Sequence, residues 1–164
     1  MKVDSLFGKG PAALLRLKQG LDTYDAVEQR IVLLDSCPYV GVLSLNAIFA
    51  SDFVLVPVSA DYLSVQGAQQ IDRTLAALEP VMKRRIPRRY VLTRYDRRRR
   101  LGDEVKRILR ESYPGELCET VISESVSLTE SPSVGKDVFS HQPESRGASE
   151  YQELLEELNS QGIV

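Results

Sequence analysis

Four short apolar runs, separated by longer segments of helical spacing, constrain the fold of this chain more than any other feature. The run at 53–58, FVLVPV, is β-branched and shows no alternation of polar and apolar residues, which is typical of a strand covered on both faces. Strand and helix signals alternate along the chain. This order predicts the α/β class, with a mainly parallel sheet and helices on both faces. The predicted strands are 31–35, 53–58, 89–94 and 118–122.

The segments between these runs predict helices. In 64–79 the apolar residues recur at a spacing of three or four, as in an amphipathic helix, and Pro80 lies just beyond. Residues 123–147 are rich in Ser, Pro, Gly and Glu, so we predict a long functional loop there. The length favours a single domain over residues 1–164. The other predicted helices are 11–21, 44–50, 101–109 and 148–160.

The composition is that of an ordinary soluble protein, with 43% apolar and 27% charged residues. No apolar stretch approaches the ~18 residues that span a bilayer, and Met1 to Gly10 do not form a signal segment. Two cysteines are too few for a disulfide scaffold and show no metal spacing. We therefore expect a reduced, cytoplasmic protein.

The net charge of −2 conceals an uneven distribution. Residues 83–110 contain 13 of the 21 basic residues and only 3 acidic ones, whereas residues 111–164 contain 11 acidic and 2 basic ones. A charge run is usually a solvated surface, but Arg97 to Arg100 repel one another, and a polyanion would relieve that repulsion. Pro87 places the first arginines in a loop, which favours phosphate contacts over base reading. The acidic last third of the chain is an alternative counter-charge, within the molecule or in a partner subunit.

Polar residues follow the predicted strands at the edge where parallel sheets bind ligands. Asp35, Ser59 to Asp61 and Thr93 to Asp96 all occupy such positions. An apolar strand that ends in Asp is the Walker B pattern, in which the carboxylate holds Mg²⁺ directly or through water. The pattern alone favours a simpler interpretation, because the turn after a strand often needs an acceptor.

The residues around Asp35 add a family resemblance. The segment 35–71, DSCPYVGVLSLNAIFASDFVLVPVSADYLSVQGAQQI, strongly resembles the ParA/MinD-type deviant Walker ATPases, on the ParA side. Segments 91–101 and 125–158 resemble later parts of the same family, so the likeness covers about residues 28–160. The matching positions in the first segment are Asp35, Pro38, Gly41, Leu45, Asn46, Ala47, Pro57, Val58 and Gly67.

The resemblance implies a P-loop NTPase-like fold of the SIMIBI type and a role in plasmid or chromosome partitioning. It also implies ATP and Mg²⁺ as cofactors, an ATP-dependent homodimer on non-specific DNA, a ParB-type partner protein, no membrane, and a nucleoid-associated location in the cytoplasm. Asp35 takes the catalytic and metal-binding role. The implied nucleotide contacts are Thr93, Arg94, Val126, Leu128, Ser131 and Pro132, and the implied DNA contacts are Arg84, Arg85, Arg88, Arg89, Arg97, Arg98, Arg99 and Arg100.

Two departures from the family pattern change the expected activity. The first strand and the phosphate-binding loop are missing, because Gly8-Lys9 is followed by Gly10 where Ser or Thr is needed. Ser123-Glu124 stands where the family often has Pro-Arg. Since the phosphate-binding loop supplies most of the positioning in phosphoryl transfer, we expect an N-terminally truncated ParA-like domain that binds no nucleotide and is inactive in ATP hydrolysis alone.

Three alternatives stay open. The first is a degenerate paralogue that binds DNA or a partner without nucleotide. The second is a MinD-like membrane-positioning protein, although its terminal helix would have to be basic and residues 150–164 are acidic. The third is an α/β hydrolase with Cys37 as nucleophile, against which we expect Cys37 to be a buried structural thiol.

Overall fold

The computed structural model of the chain describes residues 11–24, 31–37 and 41–163. Within those ranges helices and strands alternate as the sequence predicts, and a 3₁₀ turn at Ser131–Val134 follows the sixth helix. No helix in the described part is both long and apolar enough to cross a membrane. The elements are α1 Pro11–Leu14, α2 Arg16–Tyr24, α3 Val42–Ala50, β1 Val54–Ser59, α4 Tyr62–Met82, β2 Arg88–Tyr95, α5 Arg100–Ser112, β3 Leu117–Ser123, α6 Val126–Glu130, α7 Val138–His141 and α8 Arg146–Ser160.

The three later strand predictions and the α/β class are confirmed. The strands form a sheet in the order β1-β2-β3, and β2 pairs with β3 in parallel. Tyr90, Val91 and Leu92 are successive residues of β2 and are all at most 2% exposed. Because successive side chains point to opposite faces, both faces of this strand are covered.

The strand predicted at 31–35 is wrong. Residues 31–37 have no regular secondary structure, and Ile31 and Leu33 are 71% and 87% exposed. A strand forms only where neighbouring strands take up its backbone hydrogen bonds, and the described sheet does not include this segment. The family resemblance places it beside a further strand that is not among the described residues. Pro38 and the Gly8-to-Gly10 segment also lie outside the described residues.

Two helix boundaries differ from the prediction. The helix α4 continues to Met82 and contains Pro80, which leaves the carbonyl of Ala76 without its usual i+4 donor. The missing hydrogen bond lies in the last turn, so it does not end the helix before Pro80. The segment 123–147 contains α6, a 3₁₀ turn and α7 rather than a continuous loop, while its functional role stays a prediction.

The described residues form two compact units, of which the first comprises the described part of 1–54 together with Thr74–Pro87. Within it, buried Asn46 connects α3 to the two preceding helices. Its side-chain amide donates to the carbonyl oxygen of Ala13 at 2.9 Å, and its Oδ1 accepts from the backbone N–H of Leu17 at 3.2 Å. Leu75 and Ile86 are fully buried.

The second unit comprises Leu55–Arg73 and Arg88–Val164. Its core includes the stacked rings of Tyr90 and Tyr113, with centroids 3.7 Å apart. The helix α8 lies along β3, and Glu157 accepts the backbone N–H groups of Glu119 and Thr120, both at 2.9 Å. These bonds satisfy strand amides that would otherwise be open to pairing with another chain.

The burial of α8 against the sheet predicts unequal effects for two leucines of the same helix. Leu158 is 7% exposed and Leu155 is 45% exposed. We expect Leu158→Ala to lower the free energy of unfolding by about 2–3 kcal/mol, because it leaves a cavity. Leu155→Ala should lower it by less than about 1 kcal/mol. Urea denaturation followed by circular dichroism measures both, and equal losses would contradict this packing.

Candidate functional site

The structure does not place Asp35 in a strand-end metal site. Its side chain is exposed and lies in the irregular segment 31–37. No group of three or more His, Cys, Asp or Glu side chains among the described residues could hold a metal ion. Because Mg²⁺ in a nucleotide site is usually held by one or two carboxylates together with waters and phosphates, the catalytic and metal-binding role of Asp35 stays a prediction. The neighbouring Cys37 is exposed, so the expectation of a buried thiol is wrong.

Two of the predicted nucleotide contacts lie at the carboxyl end of β2. The carbonyl oxygen of Thr93 accepts the backbone N–H of Ala60, 3.0 Å away. Arg94 has a φ of +51°, in the left-handed region that few residues with a side chain adopt. Its exposed guanidinium lies 3.5 Å from the carboxylate of Glu124, which follows β3. The structure thus brings the ends of β2 and β3 together, as the sequence predicts.

The other four predicted nucleotide contacts lie in and around α6. Ser131 is buried, and Leu128 packs against Gly147, where a Cβ atom would lie 2.8 Å from the leucine Cγ. Val126 is 68% exposed and Pro132 is exposed. Leu128 and Ser131 therefore anchor this segment, whereas the other two present their surface to solvent. Whether any of the four contacts a nucleotide stays a prediction.

The eight arginines predicted to contact DNA fall into different environments. Arg84, in the first unit, donates to the carbonyl oxygen of Ser51 at 2.6 Å, and Arg85 in the same unit is exposed. Arg88 is 5% exposed and donates to Asp72 at 3.0 Å, so the structure does not bring it to the surface. Arg89 donates to Gln161 at 2.8 Å. The remaining four, Arg97 to Arg100, are consecutive and exposed.

These four arginines and Asp96 form what we term the arginine turn, residues 96–100. Asp96 Oδ1 accepts the Nε–H of Arg98 at 3.0 Å, Asp96 Oδ2 accepts its Nη2–H at 3.1 Å, and Arg99 Nε lies 3.4 Å from Oδ2. The hydrogen bonds from the Arg98 side chain and backbone are the main reason that the pKa of Asp96 is lowered to about 2. The carboxylate is therefore charged at any physiological pH.

The arginine turn leads directly into α5. The residue that precedes the helix, Arg99, makes no side-chain capping bond. The start of a helix carries a partial positive charge, so cations there are unfavourable and anions are favourable. Asp96 and Asp103 provide nearby negative charge, and Asp103 accepts a hydrogen bond from the hydroxyl of Tyr95 at 2.5 Å. Four arginines at this position are a local conflict that an external anion would relieve.

Asp96 is not among the predicted site residues, although it belongs to the polar segment Thr93 to Asp96 that follows a predicted strand. The signal was the Asp-x-Arg spacing of Asp96 and Arg98 in a turn, where an aspartate often accepts the N–H two residues later. Here Oδ1 accepts that N–H at 3.0 Å. The pairing of Arg88 with Asp72, 16 positions away, had no comparable local signal.

The lowered pKa of Asp96 predicts a specific dependence of stability on acid. A carboxylate with a depressed folded-state pKa contributes stability above its unfolded pKa of about 3.9. That contribution is lost as the pH falls through about 2. We therefore expect the difference in unfolding free energy between the wild type and Asp96→Asn to be constant from about pH 7 to 5 and to shrink below about pH 4.

Urea unfolding at several pH values measures this difference. Arg98→Ala should produce the same change in pH dependence, because it removes the main partner of the carboxylate. Parallel stability curves for the wild type and both variants down to about pH 3 would contradict the pairing.

Comparison with protein-family models and curated proteins identifies relatives. Residues 6–87, half of the chain, match a family model described as an AAA domain. The chain is 33% identical over 151 residues to the sporulation initiation inhibitor protein Soj of Bacillus subtilis, covering 90% of this chain and 58% of that protein. It is 39% identical over 132 residues to the chromosome-partitioning ATPase Soj of Thermus thermophilus, covering 78% and 52%. The chain spans about half the length of the curated relatives it matches.

Solved structures show the same fold at lower identity. A putative plasmid partition protein from Borrelia burgdorferi bound to AMPPNP superposes with a TM-score of 0.72 at 20% identity, covering 94% of this chain and 57% of that one. A cobyrinic acid a,c-diamide synthase from Mycobacterium smegmatis, with bound ATP analog and magnesium, gives 0.74 at 22%, covering 96% and 59%. Together with the Soj relatives and the matched family model, this P-loop NTPase-like fold places the chain in the ParA-type family of partitioning ATPases.

Proposed function

We propose that this chain acts in ParA-like plasmid or chromosome partitioning and binds DNA without sequence specificity through the arginine turn. Four consecutive exposed arginines at the start of α5 carry the proposal. Two relatives bear directly on the role, since one is called a chromosome-partitioning ATPase and another a chromosome partitioning protein ParA.

The chemistry of the turn suits a phosphate backbone. Guanidinium groups form bidentate hydrogen bonds with phosphate oxygens. Each phosphate contact also releases counterions from the DNA, which makes the affinity depend strongly on salt. Since the arginines lie in a turn and at a helix start, rather than along a helix that could enter the major groove, they would contact the backbone and not the bases.

The other basic residues have a smaller part in the proposal. Arg84, Arg85 and Arg89 are supporting contacts, whereas buried Arg88 is engaged with Asp72. The acidic alternative, in which the last third of the chain neutralises the arginines, has limited support among the described ion pairs. The last third supplies Glu124, Glu111 and Glu119 as partners of Arg94, Arg107 and Arg110. Within the arginine turn, however, Arg98 and Arg99 pair with Asp96.

The nucleotide-dependent part of the family's activity is a separate proposal. ATP, Mg²⁺, the homodimer and a ParB-type partner belong to the proposed function of the whole protein. The exposed position of Asp35 in an irregular segment favours a second candidate for this chain by itself, a module that binds DNA or a partner without nucleotide. In the first candidate, and in the DNA-binding form of the second, the arginine turn binds DNA in a cytoplasmic, nucleoid-associated protein.

The DNA contact is tested with paired arginine substitutions. We expect Arg97→Ala together with Arg100→Ala to weaken binding to duplex DNA of any sequence and to reduce the slope of log affinity against log salt by about 2, because two phosphate contacts are lost. The matched control is Arg107→Ala with Arg110→Ala, which removes two arginines of α5 that pair with Glu111 and Glu119. Equal effects of the two double variants would contradict a specific role of the turn.

Thermal unfolding with and without Mg²⁺-ATP or Mg²⁺-ADP separates the two candidates. A ligand that binds the native state stabilises it by about 2.7 kcal/mol at a hundredfold excess over its dissociation constant. We expect no nucleotide-specific rise in the melting temperature of the 164-residue chain, because Asp35, the predicted Mg²⁺ ligand, is exposed in an irregular segment. A clear rise would show that the chain holds a usable nucleotide site and would favour the ATPase.

A further inference from the structure

We infer that Asp96 is a built-in competitor for the arginine turn, because its carboxylate occupies the edge of Arg98 that a DNA phosphate would bind. The inference rests on the proposed function for the identity of the ligand. It adds a regulatory element within the site, one that holds the affinity for phosphate groups below what four arginines could provide.

The geometry of the ion pair is that of a bound anion. The two carboxylate oxygens of Asp96 accept from Nε and Nη2 of Arg98 at 3.0 and 3.1 Å, in parallel. Carboxylate and phosphate use the same guanidinium edge in this two-point arrangement. Arg99 also directs its Nε toward Oδ2 at 3.4 Å. A phosphate must therefore displace Asp96 to bind either of these edges.

The two partners differ in how firmly they are held. The side chain of Asp96 is 12% exposed, whereas those of Arg98 and Arg99 are 88% and 73% exposed. Asp96 is also fixed by the backbone N–H of Arg98, which donates to Oδ1 at 3.0 Å. The carboxylate thus stays in place while the arginines can swing outward. Exposed ion pairs contribute little stability, so DNA can break them.

The remaining arginines of the turn have no such restraint. Within the described part of the chain, the side chains of Arg97 and Arg100 form no hydrogen bond or ion pair, and both are exposed. They can meet a phosphate first, whereas the Nε–Nη2 edge of Arg98 binds one only by exchanging Asp96 for it. Binding that requires this exchange is weaker and more readily reversed than binding to four unengaged arginines.

A different role for Asp96 predicts the opposite sign. If the carboxylate mainly held Arg98 and Arg99 in a conformation ready for DNA, its removal would lower affinity, since flexible side chains lose more entropy on binding. If it is a competitor, its removal raises affinity. The two roles are therefore distinguished by the direction of one measured change.

The test compares Asp96→Asn with Glu124→Gln in the full 164-residue chain. Both changes remove one negative charge. Glu124 acts on Arg98 through electrostatics alone, and its ion-pair partner is Arg94. We expect Asp96→Asn to raise the affinity for a random-sequence duplex about threefold to fivefold at low salt, and Glu124→Gln to raise it less than about twofold. Unchanged or lower affinity for Asp96→Asn, or an equal rise for Glu124→Gln, would overturn the inference.

A second probe separates this inference from the proposed function. Inorganic pyrophosphate is titrated into both proteins while the Nε–H signal of Arg98 is followed by NMR. If the wild type does not bind DNA but Asp96→Asn binds pyrophosphate more tightly than the wild type does, the proposed function fails and the competition stands. If neither protein responds to pyrophosphate or DNA, the competition is also wrong. Circular dichroism checks that each variant folds. If Asp96→Asn does not fold, Asp96→Ser takes its place in both measurements, because it retains an acceptor for the backbone N–H of Arg98.

Discussion

The coverage of β2 on both faces is the constraint on which the second compact unit depends. Tyr90 and Leu92 are fully buried on one face, and Val91 is 2% exposed on the other. A parallel strand with both faces covered needs helices on each side of the sheet. The helices α5 and α8 both follow β2 in the chain. Its parallel pairing with β3 brings the carboxyl ends of the two strands to one edge, and the arginine turn begins there. The position of the candidate DNA contact is thus set by the core of this unit.

The same strand carries two arginine–aspartate pairs at its opposite ends, and their environments give them different functions. At the start of β2, Arg88 is 5% exposed and bonded to Asp72, which also accepts from the hydroxyl of Tyr90. Because Arg88 is buried while Asp72 is 39% exposed, removing Asp72 would leave a buried guanidinium with an uncompensated charge, which is destabilising. Beyond its end, exposed Arg98 can leave Asp96 readily, because an ion pair with an exposed partner contributes little stability. The first pair therefore holds the fold, and the second can exchange partners.

Much of the fold could be predicted from the sequence because the strands and helices have strong local patterns. The β-branched run of β1 and the regular spacing of α4 sufficed for their type and approximate limits. The apolar run at 31–35 led to a wrong strand prediction, because burial depends on neighbouring strands as well as on the run itself. Similarly, the charge window identified a basic region but could not show that Arg88 is buried while Arg97 to Arg100 are exposed, since this depends on contacts distant in sequence.

The arginine turn shows how stability and binding can depend on one carboxylate. Four cations at the start of α5 oppose the helix dipole, and Asp96 offsets part of this conflict when no ligand is bound. A DNA phosphate would offset it in the same way, and it would use the same guanidinium edge. Asp96 therefore stabilises the unbound turn by the interaction that makes binding weaker. A protein that must release DNA repeatedly would gain from this arrangement, because Arg98 and Arg99 have Asp96 to return to when a phosphate departs.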